Sequence, residues 1–176
     1  MKKPSIRSLA AAAMVAALYT ALSFAVQEFA FGGAGMVQFR LSEALTVVPF
    51  FFPEAAWGLF VGCILTNIIS PMGIPDLIFG SLATLIAGLI TAEVPRAWMA
   101  PIPPILSNML IVGAMIAWYE TGFGPGFMAS WAVNGALVAL GEIVCAGILG
   151  GLLLALLPRV LPRDLNQRAR DAQAAE

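Results

Sequence analysis

The sequence predicts an all-α membrane protein that folds as a polytopic bundle of six transmembrane helices. Hydrophobic residues make up 60% of the 176-residue chain and charged residues 11%, whereas soluble domains carry about 25% charged residues. The mean hydropathy is +0.91. The length leaves room for six apolar stretches of roughly 20 residues, which is the span of a bilayer. We therefore expect one transmembrane domain over residues 1–158 and a polar cytoplasmic tail over 159–176.

Several classes of protein are excluded by residues that the chain lacks. It contains no histidine, which excludes histidine-based metal sites, catalytic triads and proton relays. It has no Gly-x-x-x-x-Gly-Lys-Ser/Thr phosphate loop, so it cannot hydrolyse ATP by that route on its own. Cys63 and Cys145 lie within apolar runs, where small buried hydrophobic side chains are expected. We predict a protein that is not an enzyme and that holds no metal or cofactor.

The first apolar stretch, at about 8–31, is predicted to be a permanent span. It follows Lys2, Lys3 and Arg7, as a secretory signal would, but its apolar run continues past Leu22 without a convincing cleavage site. Alanines recur in it every four residues, and such a stripe of small side chains lets another helix approach closely. The stripe either packs against the protein's own helices or docks a separate subunit. Its members are Ala12, Ala13, Ala16 and Ala17.

The remaining spans are bounded by prolines, glycines and polar residues. Span two, about 41–52, is too short to cross roughly 30 Å unaided, so it is either tilted and buried or continuous with the next hydrophobic region. Pro49 and Pro53 turn the chain at its far end. Spans three to six are expected at about 54–69, 77–91, 101–118 and 128–157, with a proline turn at 71–76 and a glycine-rich loop at 122–126.

The basic residues set the predicted orientation. Lys and Arg concentrate in cytoplasmic segments, so the basic N-terminal residues and the arginines of the tail should lie on the same side, which requires an even number of spans. Six spans satisfy this condition and also place Arg96 inside. Arg40 is then the exception on the outer side. The tail arginines are Arg159, Arg163, Arg168 and Arg170.

The stretch 38–49 places Arg40 and Glu43 at the entrance to an apolar run. An ionisable side chain costs about 2.5–3.5 kcal/mol at a helix centre on insertion scales, and less near the ends. Binding a polar solute is one reason to keep such charges. The alternative is an ion pair at i,i+3 spacing that fixes the start of the helix.

Other polar residues fall at corresponding depths, and we expect them to line one cavity open to the outside, since intramembrane charges usually face a shared interior. Hydrogen bonds between helices, a capping role for Asp76 and a structural role for the Glu142 carboxyl are the alternatives. The polar residues at the outer helix ends are Glu28, Gln38, Arg40, Glu43, Asn67, Asp76 and Glu120, and the polar residues lying deeper are Asn108, Asn134 and Glu142.

Four motifs resemble the QueT family, and they occur in the family's order over most of the chain. They are Gln38-Phe39-Arg40-Leu41-Ser42-Glu43-Ala44-Leu45-Thr46, Gly62-Cys63 with Asn67, Asp76 with Gly80-Ser81-Leu82-Ala83-Thr84, and Pro104 with Asn108.

The resemblance implies a substrate-binding S component of an energy-coupling factor (ECF) transporter in a prokaryotic cell membrane. Such a component captures a queuosine precursor of the 7-deazaguanine type, such as preQ1, preQ0, queuine or queuosine, near the outer face. It associates with a transmembrane coupling subunit and two cytoplasmic ATPases, and it topples in the membrane to deliver its ligand. The family uses small residues of its first helix to contact the coupling subunit, which favours Ala13 and Ala17 as docking residues beside Ala12 and Ala16.

The ligand chemistry that the resemblance implies suits the polar residues. A deazaguanine presents N–H donors beside a carbonyl acceptor, and an aminomethyl substituent is cationic, so carboxylates and amides can recognise it. We expect Arg40 to orient Glu43. An S component for another heterocyclic vitamin, a membrane scaffold, an intramembrane enzyme and a channel are the alternatives. The candidates are Glu43, Asp76, Glu120 and Glu142 as acids, Asn67 and Asn108 as amides, and Phe39, Trp118 or Tyr119 for stacking.

Overall fold

The computed structural model describes residues 6–26 and 37–160, and these residues form helices joined by short turns, with no strand among them. The expected all-helical fold is thus confirmed, and each predicted apolar stretch contains one helix. Glu28 and residues 161–176 of the predicted tail lie outside the described residues, whereas residues 159 and 160 belong to the last helix. The helices are α1 Ile6–Ala25, α2 Leu41–Phe50, α3 Ala55–Asn67, α4 Asp76–Thr91, α5 Ala97–Thr121 and α6 Phe127–Val160.

The helices differ in length. Within the described part of the chain, three apolar segments are long enough to cross a bilayer, namely Ser8–Ala25 of α1 and the whole of α5 and α6. The helices α2, α3 and α4 are also apolar but have only 10–17 residues. The turns before and after them contain Pro53, Pro71 and Pro75, and proline disfavours the continuation of a helix because it lacks a backbone N–H.

The shortest helix, α2, is the most central element. It has 3₁₀ geometry and contains Pro49, which lacks the N–H that an α-helix needs at that point. It packs against α1, α3, α4 and α6, and Val47, Phe50 and Phe51 join Ala100 and Leu154 in one apolar core. Of the two arrangements expected for this span, the buried one is therefore found. Glu43, in its first turn, is buried among these helices.

Close helix contacts depend on glycine. A Cβ atom at Gly58 of α3 would overlap the backbone carbonyl of Ala12, and one at Gly62 would lie 2.9 Å from the Ala16 carbonyl oxygen. The same kind of contact joins α5 to α6, where a Cβ at Gly113 would lie 2.7 Å from the Cα of Gly135. Backbones approach this closely only where side chains are absent. The pairs α1–α3 and α5–α6 are thus locked in register.

The alanine stripe of α1 divides between two faces. The backbone of Ala12 and Ala16 lies against α3, and Ala16 is buried. Ala13 and Ala17 lie on the other side of the helix and are exposed. Internal packing therefore accounts for Ala12 and Ala16. Docking of another subunit stays a prediction, and the exposed Ala13 and Ala17 are the residues available for it.

We predict that Gly58→Ala lowers the free energy of unfolding by about 1–3 kcal/mol, the usual effect of overpacking, because the new methyl group would overlap the Ala12 carbonyl. Thermal unfolding of the purified protein in detergent, followed by circular dichroism, measures the change. Gly151→Ala is the matched control, since a methyl group there meets nothing within 4 Å. If the two variants were equally stable, the close contact between α1 and α3 would be contradicted.

Candidate functional site

The first turn of α2 is tied to α1 by two buried hydrogen bonds. Tyr19 donates its hydroxyl to Glu43 Oε1, and Ser23 donates to Ser42 Oγ over 2.7 Å. Tyr19 and Glu43 are each 1% exposed. One of the two oxygens of the buried Glu43 carboxylate therefore accepts a hydrogen bond from a neutral donor.

Arg40 lies just before α2 in extended backbone, with φ −89° and ψ 93°. Its Nη2 forms an ion pair with Asp76 Oδ2 over 3.2 Å. The expected pair with Glu43 is not the one found, because the i,i+3 spacing brings two side chains together only when both residues are helical. Tyr19 donates the hydrogen bond that holds Glu43, and the charge of Arg40 acts on Glu43 as well.

Asp76 is the meeting point of three elements. Besides Arg40, its Oδ2 accepts a hydrogen bond from Ser70 over 2.6 Å, and its backbone oxygen accepts one from Asn67 Nδ2 over 3.0 Å. Asp76 is 1% exposed. Through its carboxylate and its backbone oxygen, Asp76 thus connects the start of α4 to the residue before α2, to the end of α3 and to the turn that follows α3. This use differs from the helix-capping alternative, since no side-chain cap is formed at the start of α4.

A third buried contact joins α5 to α6, where Asn108 Nδ2 donates to Glu142 Oε1 over 2.7 Å. Asn108 is 4% and Glu142 6% exposed. Glu142 lies close enough to Glu43 and Arg40 for electrostatic interaction, so the contacts described so far form one group. We call it the central polar cluster, and its members are Tyr19, Arg40, Glu43, Asn67, Asp76, Asn108 and Glu142.

Several buried oxygens of this region have no hydrogen-bond partner among the described residues. Leaving a buried acceptor unsatisfied costs about 1–3 kcal/mol, and more when the group is charged. Three of the atoms belong to the central polar cluster, and all three are acceptors. The region is therefore suited to a ligand rich in hydrogen-bond donors. The atoms are Glu43 Oε2, Asn67 Oδ1, Glu142 Oε2 and the neighbouring Ser81 Oγ.

A cavity of about 10 Å³ opens between the cluster and the segment 37–40. That is the volume needed to hold roughly one water. The segment crosses over α6 so closely that a Cβ atom at Gly141 would overlap the carbonyl of Gln38. Residues 38 and 40 therefore line the cavity on the side of this segment. Its lining residues are Gln38, Arg40, Asn108, Val112, Val138 and Glu142.

Two predicted site residues lie elsewhere. Trp118 lines an apolar groove of about 560 Å³. Phe79 of α4, Phe123 of the loop between α5 and α6, and apolar residues of α5 and α6 form the rest of the groove. Glu120 is exposed and accepts hydrogen bonds from Ser130 and Asn134. The stacking candidates Phe39, Trp118 and Tyr119 are 41%, 42% and 57% exposed. The structure therefore brings together Arg40, Glu43, Asn67, Asp76, Asn108 and Glu142, but not Trp118 or Glu120.

Tyr19 is the residue that sequence reasoning missed. A signal for it exists, because Ala12, Ala16, Tyr19 and Ser23 recur at the spacing of one helical face. Since that face packs on α3 and α2, a tyrosine on it has to find a buried partner for its hydroxyl. As for metal ions, no group of three or more His, Cys, Asp or Glu residues suited to one occurs in the described ranges.

Comparison with protein families shows that the model described as QueT transporter matches residues 9–159. No curated protein and no solved structure matches the chain. The matched range includes nearly all of the six helices and every residue of the central polar cluster. The resemblance inferred from the four motifs is confirmed.

We predict that Tyr19→Phe lowers the free energy of unfolding by about 1–3 kcal/mol, because Glu43 Oε1 loses its buried donor while the shape of the ring is kept. The matched control is Tyr119→Phe, whose ring is 57% exposed and which should unfold as the wild type does. Differential scanning fluorimetry in detergent compares the two. Equal unfolding temperatures would mean that the Tyr19 hydroxyl does not hold Glu43.

Proposed function

The chain belongs to the QueT transporter family, and from this premise we propose that it is the substrate-binding S component of an ECF-type importer. In this role it captures a queuosine precursor of the 7-deazaguanine type from outside the cell. One observation carries the proposal, namely that three buried acceptors without a partner in the described structure belong to the central polar cluster. A family of transporters supplies the class of function, and these acceptors supply the place where a solute binds.

The proposed arrangement in the membrane has six spans with both termini in the cytoplasm of a prokaryotic cell. Under this orientation the start of α2, the end of α3 and the start of α4 all face outward, in agreement with the Arg40–Asp76 ion pair that joins two of them. The 3₁₀ geometry helps α2, since a rise of about 2.0 Å per residue extends ten residues to roughly 20 Å. The solute site then opens to the outer face.

The buried hydrogen-bond acceptors without a partner indicate the class of ligand. The pyrimidinone edge of a 7-deazaguanine carries a ring N–H beside an amino group, and a buried carboxylate oxygen such as Glu43 Oε2 accepts from such donors. Asn67 Oδ1 adds a second acceptor. The cavity of about 10 Å³ is far smaller than a bicyclic base. Entry therefore requires the segment carrying Gln38 and Arg40 to move away from α5 and α6.

Energy for uptake has to come from partners. The sequence has no phosphate-binding loop, so we assign ATP hydrolysis to two cytoplasmic ATPase subunits and force transmission to a transmembrane coupling subunit. Ala13 and Ala17 are exposed on α1, and small exposed side chains allow another membrane helix to pack closely. The chain itself performs no covalent chemistry in this proposal.

We predict that 7-deazaguanine precursors stabilise the purified protein, by about 2.7 kcal/mol at one hundred times the dissociation constant. Thermal shift or calorimetry in detergent measures binding for preQ1, preQ0, queuine, guanine, riboflavin, thiamine and biotin. Glu43→Gln should weaken binding because the charged acceptor is lost. The matched control Glu93→Gln removes an exposed acid beyond the end of α4 and should bind as the wild type does.

The remaining outcomes separate the alternatives. Stabilisation by riboflavin, thiamine or biotin alone would keep an S component and overturn the queuosine assignment. A folded protein that responds to none of the compounds would favour a membrane scaffold, in which the polar cluster merely joins helices.

A further inference from the structure

Within the described residues, α4, α5 and α6 each contain a segment of π geometry that begins at or directly after a member of the central polar cluster. In this geometry a backbone N–H binds the carbonyl five residues earlier instead of four. The Gly113 N–H accordingly donates to the Asn108 oxygen. Such segments are rare and occur frequently at functional sites. Their ranges are Asp76–Gly80, Asn108–Val112 and Ile143–Leu149, the last of which directly follows Glu142.

The π segment of α5 is fixed against α6 at both of its ends. At its start, Asn108 Nδ2 donates to Glu142 Oε1 over 2.7 Å. Directly after its end, a Cβ atom at Gly113 would lie 2.7 Å from the Cα of Gly135. Gly135 and Glu142 are seven residues apart in regular α-helix, so they lie on the same face of α6. The segment therefore has to present Asn108 and Gly113 on one face of α5 as well.

The π geometry makes this arrangement possible. In an α-helix, residues five apart point about 140° away from each other, at roughly 100° per residue. The hydrogen bond from Gly113 to Asn108 instead brings these two residues nearly into line. If the segment became α-helical without losing a residue, Asn108 would turn away from Glu142 while Gly113 stayed in place. The chain before the segment can follow this rotation, because Pro103 and Pro104 have no N–H to hold it in the helical hydrogen-bond ladder.

The same segment forms one wall of the small cavity in the site. Its first and last residues, Asn108 and Val112, line the cavity of about 10 Å³ together with Val138 and Glu142 of α6. That volume holds roughly one water. A rotation of Asn108 would remove its side chain from the cavity wall and free the Oε1 atom of Glu142.

We infer that the π segment of α5 is a register switch, which admits the solute by passing from π to α geometry and so turning Asn108 away from Glu142. The inference rests on the proposed function, because it names a motion by which the same site opens, beside that of the segment 37–40. The α-helical form keeps Gly113 against Gly135 and leaves the contact between α5 and α6 in register. The return to π geometry brings Asn108 back to the cavity wall.

The first test needs no variant and no solute. Hydrogen–deuterium exchange of the purified full-length protein in detergent, measured by mass spectrometry, compares the amides of residues 109–113 with those of the α-helical residues 135–142 of α6. A segment that passes between two geometries breaks its backbone hydrogen bonds each time, so its amides should exchange at least about tenfold faster. Equal protection of the two segments would overturn the inference.

The second test deletes Leu110, which is 48% exposed within the π segment. Losing one residue makes the segment α-helical with both ends still against α6, so it can no longer switch. The variant should unfold near the wild-type temperature, exchange slowly over the segment, and bind preQ1 at least about tenfold more weakly in calorimetry, because the binding-competent fraction falls. The control deletes Val61, which is 47% exposed in the regular α-helix α3. That deletion should disrupt the fold, because it turns Gly62 away from Ala16.

Each other result has a defined meaning. If deletion of Leu110 disrupts the fold as much as deletion of Val61 does, the π segment does not keep its two ends in register and the inference is overturned. Unchanged affinity for preQ1 in a folded deletion variant overturns it as well. A wild type that binds none of the deazaguanines overturns the proposed function, whereas the exchange comparison still decides whether the segment switches.

Discussion

The burial of Glu43 and Glu142 inside an apolar helix bundle is the constraint on which the rest of the structure depends. A carboxylate removed from water needs donors for each of its oxygens. The fold supplies one donor to each, from Tyr19 of α1 and from Asn108 of α5. The second oxygen of each acid has none within the described residues. A structural network would satisfy both oxygens, whereas a binding site has to hold one in place and leave the other for the ligand.

Glycine makes room for these polar side chains. A Cβ atom at Gly80 would lie 2.6 Å from Asp76 Oδ1 and 2.9 Å from Asn67 Nδ2, so any side chain there would displace the group that anchors Arg40. At Gly141, beside Glu142, the absence of a side chain lets the Gln38 backbone lie against α6. The same feature that brings helices close in membranes therefore also seats the polar cluster and the segment that covers it.

Much of the fold could be predicted from the sequence, since apolar stretches and proline turns mark where α1 to α6 begin and end. The sequence also predicts that six of the candidate residues lie near one another. In a chain that crosses the membrane repeatedly, the end of one helix and the start of the next lie on the same side. The sequence does not predict which of these residues form pairs with one another. Arg40 forms its ion pair with Asp76 because its own backbone is extended and not helical. The rotation of a helix about its axis is set by packing rather than by spacing, which is why Trp118 and Glu120 fell outside the cluster and Tyr19 was missed.

The most direct test of the central claim replaces both partners of the Asn108–Glu142 hydrogen bond by apolar side chains of similar size, in an Asn108→Leu, Glu142→Met double variant. Removing a buried polar pair together is often neutral or stabilising, because no unpaired group remains. The measurement is the thermal unfolding temperature in detergent with and without preQ1. If the pair is kept for ligand binding, the variant unfolds at the wild-type temperature or above and preQ1 no longer stabilises it. A large fall in the unfolding temperature without ligand would contradict the account and show that the pair holds the helices together.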